Sequence, residues 1–206
     1  NQGLVLPAAI DSSLYFALGP HPDPQAVEVH SVNFDQTGRF PIDALHLDPS
    51  GWLRYFQAVC GELRERQYPL RGFRCVFGGN IPIGSGLSSS AALTCGLIVG
   101  LAQVQAWDIP LPEVARIAQA AEHRVGIRCG LMDQYAILFG RAHQVLQLDC
   151  RDLQVEHFPF DLGEYRLLLL NTKVEHELAS TAYNDRRARC DRVLEVMRAQ
   201  HPEVTT

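Results

Sequence analysis

Pro82-Ile83-Gly84-Ser85-Gly86-Leu87-Ser88-Ser89-Ser90-Ala91-Ala92 is the stretch that decides how this chain is read. Gly84 and Gly86 let the backbone take φ > 0 and approach a ligand with no Cβ in the way. Three serines then put hydroxyls where a helix presents unpaired N–H groups, and the alanines and leucine that follow suit a capped helix start. Such a loop is a seat for an anion, phosphate being the common one. Taken alone, the same residues also fit a flexible turn before a serine-capped helix. A Walker-type loop needs a lysine directly after its last glycine. Lys173, the chain's single lysine, lies in Leu170-Asn171-Thr172-Lys173-Val174 with no glycine nearby, so that reading is excluded. Backbone amides, hydroxyls and a metal ion would have to carry the negative charge instead. A serine-hydrolase elbow is excluded too, because Gly86-Leu87-Ser88-Ser89-Ser90 lacks the closing glycine of G-x-S-x-G.

Working outward, Phe73, Cys75 and Phe77 alternate as on a strand that ends at Gly78-Gly79 and feeds the loop. After the loop, an apolar helix is expected to run to about Trp107. Pro112 suits the first turn of the next helix, with Val114, Ile117, Ala118, Ala121 and Val125 on one face and Gly126 marking its end. Upstream, Leu14 to Gly19 and Val27 to Val32 read as strands separated by the turn Gly19-Pro20-His21-Pro22-Asp23-Pro24. Trp52, Tyr55, Phe56, Val59, Cys60 and Leu63 form the stripe of an amphipathic helix following Gly51. Downstream, Val145 to Leu148 reads as a strand. Residues Tyr165 to Leu170 read as a second strand, apolar but for Arg166 and expected to be buried on both faces. A charged helix starts near Asn184. Strands that precede and separate long helices make the class α+β or α/β, with Phe158 to Gly163 as the weak boundary candidate.

Composition narrows the function. With 206 residues there is room for one sizeable domain, or one domain and part of another, at roughly 150 residues per domain. A net charge of −5 leaves no basic footprint for nucleic acid or anionic membrane, so neither is expected as a partner. Six cysteines without a C-x-x-C pair or zinc spacing, and no basic region ahead of an apolar one at the start, point to a cytoplasmic protein with reduced thiols.

The string PIGSGLSSSAAL is more specific than its glycines. It resembles the phosphate-binding motif of the GHMP small-molecule kinases, the superfamily of galactokinase, homoserine kinase and mevalonate kinase, and its triple serine followed by Ala-Ala looks most like galactokinase. Three more segments agree, in the same order. Asn1 to Asp11 resembles the stretch right after the galactokinase signature G-E-H-T-D-Y-N. Ala121-Glu122-His123 with Cys129-Gly130-Leu131-Met132-Asp133-Gln134 is similar to the catalytic segment. Asn171 to Arg187 is similar to the strand and helix that follow it. The resemblance covers nearly the whole chain.

It implies an α+β fold of GHMP-kinase two-domain architecture. Residues 1–162 would be the N-terminal, ATP- and sugar-binding domain, a mixed-sheet α/β-layer unit lacking its first segment, and 163–206 the start of the C-terminal domain. It implies transfer of the ATP γ-phosphoryl group to the anomeric hydroxyl of galactose, with Mg²⁺ as cofactor. Asp133 would be the base that accepts the sugar proton. Gly84, Gly86, Leu87, Ser88, Ser89 and Ser90 would hold the ATP phosphates, Ser90 and Glu122 the Mg²⁺. Trp52 and Tyr55 would border the adenine, and Gly130, Asp133 and Tyr183 would meet the sugar.

For each of these residues a plainer role is open from the sequence: core packing for Trp52 and Tyr55, a solvated helix face for Glu122, a cap for Asp133. Glu175 departs from the resemblance, standing where relatives carry a basic residue. The segment holding the sugar-gripping residues would lie before Asn1 and a glycine-rich third motif after Thr206, so the chain by itself is expected to be inactive. Two other readings stand beside the leading one: a galactokinase-like sensor that binds ATP and sugar to engage a partner protein, and a kinase for N-acetylgalactosamine, arabinose or fucose. The intact Ser88 to Ala92 run suits the enzyme.

Overall fold

The computed structural model describes residues 3–43, 46–82, 84–170 and 179–204, with side chains from 183 onward in the last stretch. Strand propensity and period-2 burial build a four-stranded mixed sheet. Its strands are β2 (Leu14–Pro20), β3 (Ala26–Ser31), β4 (Gln36–Pro41) and β5 (Phe73–Gly79), in the order β2-β5-β3-β4. β5 pairs antiparallel with β2 and parallel with β3, and β3 and β4 form an antiparallel hairpin. Val27, Val29, Phe73, Cys75 and Phe77 all face the core from this sheet. β1 (Leu4–Val5), β6 (Gln144–Asp149) and β7 (Val155–Pro159) make a separate antiparallel sheet in the order β1-β6-β7.

Four helices fill one side: α1 (Leu53–Glu65), α2 (Ser89–Val104), α3 (Leu111–Arg124) and α4 (Met132–Phe139). α2 packs on β2, α1 and α3, and its sequence is apolar on every side because neighbours surround it. Gly96 and Gly100 permit that approach. A Cβ at Gly96 would lie 2.4 Å from the Phe16 ring, and one at Gly100 2.3 Å from Leu18 Cδ1. α1 and α3 are joined by an ion network in which the buried Glu62 meets both Arg66 and Arg124, and Arg124 also meets Glu65. Pro112 sits in the first turn of α3, and the helix stops at Gly126 (φ 92°), where the Ile127 N–H donates back to the Glu122 carbonyl at 3.0 Å.

Three expectations need correction. The apolar segment 165–170 is neither a strand nor buried: Tyr165, Leu168 and Leu170 are each about four-fifths exposed. A strand exists only through ladder bonds to a neighbour, and among the described residues none lies beside this segment. Ser88 occupies the N-cap position of α2 but makes no side-chain cap bond. It lies in the left-handed region (φ 56°, ψ 37°), whereas a capping side chain reaches the first turn from an extended backbone. The charged helix, α5 (Ala179–Gln200), starts five residues before Asn184. Elements not anticipated are β1, β4, β7 and α4, all short or weakly patterned.

Candidate active site

The loop ahead of α2 adopts the conformation its glycines allow. Gly84 and Gly86 have φ of 68° and 77°, and a Cβ on either would meet no protein atom within 4 Å, so the loop faces open space. The Ser85 hydroxyl donates to the Pro82 carbonyl at 2.6 Å and braces the turn. Ala92 is the first residue of α2 whose N–H closes a helical bond, to the Ser88 carbonyl at 3.0 Å. The N–H groups of Ser89, Ser90 and Ala91 are therefore the ones α2 leaves without intrahelical partners. Ser88, Ser89 and Ser90 are half-buried.

Ser90 is tied across the fold to α3. Its hydroxyl donates to Glu122 Oε2 at 2.8 Å, and Gln134 Nε2, from α4, donates to Glu122 Oε1 at 2.7 Å. Glu122 is only 3% exposed. Burial pushes its carboxyl above the usual carboxylate range, the Ser90 and Gln134 hydrogen bonds oppose that shift, and the charge of Asp133 adds to it. Glu122→Gln keeps the Gln134 bond on its carbonyl oxygen, turns an N–H donor toward the Ser90 oxygen and removes the charge. Metal-free protein should then be more stable near neutral pH by about 0.5–2 kcal/mol, with a correspondingly higher melting temperature. A carboxyl raised on folding subtracts stability above its unfolded value, about 4.3. The penalty grows as pH climbs from there to the folded value and is constant beyond it. The variant's advantage should therefore widen as pH rises above the unfolded value and be absent in strong acid. Calorimetry in chelator across that range checks this, and a melting temperature at neutral pH no higher than the parent's would refute it.

Asp133 follows in the first turn of α4 and opens into a cavity of about 610 Å³, which Gly130 and Tyr183 also line. These three predicted residues are thus brought together. The Tyr183 hydroxyl is raised by its burial, with Gly130 offering a backbone hydrogen bond and Asp133 a nearby charge. The sequence reading missed Asn184, which fastens α5 over this cavity: Arg128 N–H donates to its Oδ1 at 3.0 Å, and its Nδ2 donates to the Gly126 carbonyl at 2.7 Å. Arg128, Arg186 and Arg187 add positive charge to the wall. The cavity does not include the serines of α2. Ser90 is linked through Glu122 to Gln134, the chain neighbour of the cavity-lining Asp133.

Trp52 and Tyr55 are both half-buried against the main core. Trp52 makes edge contacts with Phe56 and Phe77, at centroid distances of 5.8 and 5.3 Å. Tyr55 carries Arg54 over its ring, and its hydroxyl is raised by burial, with Glu122 within electrostatic reach. Neither lines the cavity at Asp133. Glu175 lies outside the described residues. The donor set suits a small hard cation: one hydroxyl and one buried carboxylate touching one another, with phosphate oxygens and water to complete the shell. Among the described residues no group of three or more histidine, cysteine or acidic side chains forms a metal site.

Residues 54–141 match the GHMP kinases N terminal domain. The chain is 37% identical over 200 residues to galactokinase of Chloroflexus aggregans, covering 96% of this chain and 51% of the relative. It is 33% identical over 199 residues to galactokinase of Thermotoga maritima, covering 96% and 55%. The structure of Lactococcus lactis galactokinase complexed with galactose superposes with a TM-score of 0.84 at 28% identity, over 97% of this chain and 53% of that one. Mevalonate kinase of Methanococcus jannaschii, at 18% identity and a TM-score of 0.63, shares the fold. The chain spans about half the length of the curated relatives it matches.

Proposed function

We propose that this chain, which carries a GHMP kinase N-terminal domain over residues 54–141, is the nucleotide- and sugar-binding part of an ATP-dependent galactokinase. The observation that carries the reading is the bonded series Ser90–Glu122–Gln134, which runs from the serine-bearing end of α2 to the residue beside Asp133.

In this reading the triphosphate lies against the open loop at Gly84, Gly86 and Leu87 and the unpaired N–H groups of α2, with the hydroxyls of Ser88, Ser89 and Ser90 beside it. No lysine stands in this loop, so amide dipoles and hydroxyls orient the phosphates. Ser90 and Glu122 would hold Mg²⁺, which supplies neutralisation of the phosphate charge when bound. Trp52 and Tyr55 border the adenine. Galactose occupies the cavity at Asp133, where the absence of a Cβ at Gly130 lets the backbone come close and the Tyr183 hydroxyl meets a sugar hydroxyl. The anomeric oxygen attacks the γ-phosphorus, the bond to the β–γ bridging oxygen breaks, and ADP leaves. Asp133 accepts the proton of the attacking hydroxyl. A domain division near residue 163 belongs to the same proposal and is supported by the exposure of residues 165–170. Free cysteines throughout the chain support a reducing, cytoplasmic setting.

The test is coupled ADP release by the complete gene product, with galactose, N-acetylgalactosamine, arabinose and fucose offered in turn. Galactose should give the highest kcat/KM. Binding of ATP and galactose without ADP release would overturn the kinase reading in favour of a sensor, and preference for another sugar would overturn the substrate.

A further inference from the structure

Gln134 is fully buried, yet its amide is only half used. Nε2 donates to Glu122 Oε1 at 2.7 Å, with the Cys129 sulfur a distant second contact at 3.7 Å, while Oε1 has no partner. Leaving a buried carbonyl unpaired is costly, and flipping the amide would set that oxygen against a carboxylate oxygen, which is worse. The orientation of Gln134 is therefore dictated by Glu122. In return Gln134 makes the two carboxylate oxygens unequal. Oε1 is occupied by the amide, and among the described residues Oε2 meets only the Ser90 hydroxyl.

We propose that Gln134 is a positioning residue for the cation end of the site: by holding Oε1 it leaves Oε2, on the Ser90 side, as the oxygen that ligates Mg²⁺. The proposal rests on the nucleotide-site reading above. Mg²⁺ demands near-octahedral geometry with short bonds, which a carboxylate meets through one oxygen rather than two. The Ser90 hydroxyl oxygen would be the second protein ligand to the same ion. Because Asp133 and Gln134 are consecutive on α4, one helix turn aims the carboxylate of the first into the cavity and the amide of the second inward at Glu122. The position of the cation ligand and that of the base are thereby set by the same element.

Two variants test this: Gln134→Met, which keeps the volume without the amide, and Gln134→Asn, whose shorter amide cannot span to Oε1. The second decides the matter should the first not fold, as judged by circular dichroism. Mn²⁺ affinity in the presence of saturating ADP is read from the electron paramagnetic resonance of free Mn²⁺. ADP affinity without metal is measured by calorimetry in chelator. Both variants should bind Mn²⁺ about 10–100-fold more weakly than the parent, the range for loss of a partner that orients a metal ligand. Metal-free ADP affinity should be unchanged. Folded variants that hold Mn²⁺ as tightly as the parent would overturn the proposal, as would a loss of metal-free ADP binding in step with Mn²⁺, which would mark a merely structural residue. A parent protein that binds no ADP would overturn the nucleotide-site reading itself, and the proposal with it.

Discussion

Under the proposed function, Asp133→Ala in the complete gene product should slow galactose-dependent ADP release by about 10²–10⁴-fold, the contribution expected of a positioned general base. The loss should fall on kcat, with the KM for ATP little changed, because Asp133 lines the cavity assigned to the sugar and the serines of α2 do not. Asp133→Asn is the sharper variant. It keeps the volume and a hydrogen bond to the sugar hydroxyl but has no strong proton-accepting oxygen, so it should be nearly as slow. Binding of ATP, measured separately, should survive both substitutions. Unchanged turnover in either variant would remove Asp133 from the chemistry.

The second large effect is on stability. Phe56 is completely buried, and its ring meets Trp52 edge-on at 5.8 Å and Phe77 at 5.2 Å, linking α1 to the floor of the four-stranded sheet. Phe56→Ala should cost about 3–5 kcal/mol through lost burial and the cavity left behind. At about 2–4 °C per kcal/mol for a chain of this size, thermal melting should show a drop of roughly 6–20 °C. Under the proposed function the same variant should also raise the KM for ATP, since Trp52 would lose the ring it leans on. A melting temperature within a degree or two of the parent's would mean that this aromatic cluster is not where α1 is held.

The elements nearest the loop were legible because their signals are local. Alternation at Phe73, Cys75 and Phe77 reports a half-buried strand, and the 3.6-residue stripe from Trp52 to Leu63 reports a helix with one buried face. Glycine at 84 and 86 reports positive φ. Each inference needs only a handful of neighbouring residues. β4 (Gln36–Pro41) carries almost no pattern of its own and becomes a strand by pairing with β3, and α4 is too short and too apolar for its period to show. The segment 165–170 fails in the opposite direction: its residues favour a strand, but a strand is a relation between two segments, and among the described residues it has no partner.

The candidate site divides along the same line. Residue types and spacing alone marked the glycine-serine loop as a seat for an anion, because backbone freedom and hydroxyls are properties a residue brings with it. Glu122, Gly130, Asp133 and Tyr183 were marked instead by the resemblance of the ordered motifs to the GHMP kinases. Only the tertiary structure decided that Ser90 Oγ meets Glu122 Oε2 across 32 positions, that Gln134 takes the other oxygen, and that Asn184 closes α5 over Gly126 and Arg128. A hydrogen bond between distant elements depends on angstrom-level placement by the packed core. That placement is a sum over many contacts, which no short stretch of sequence contains.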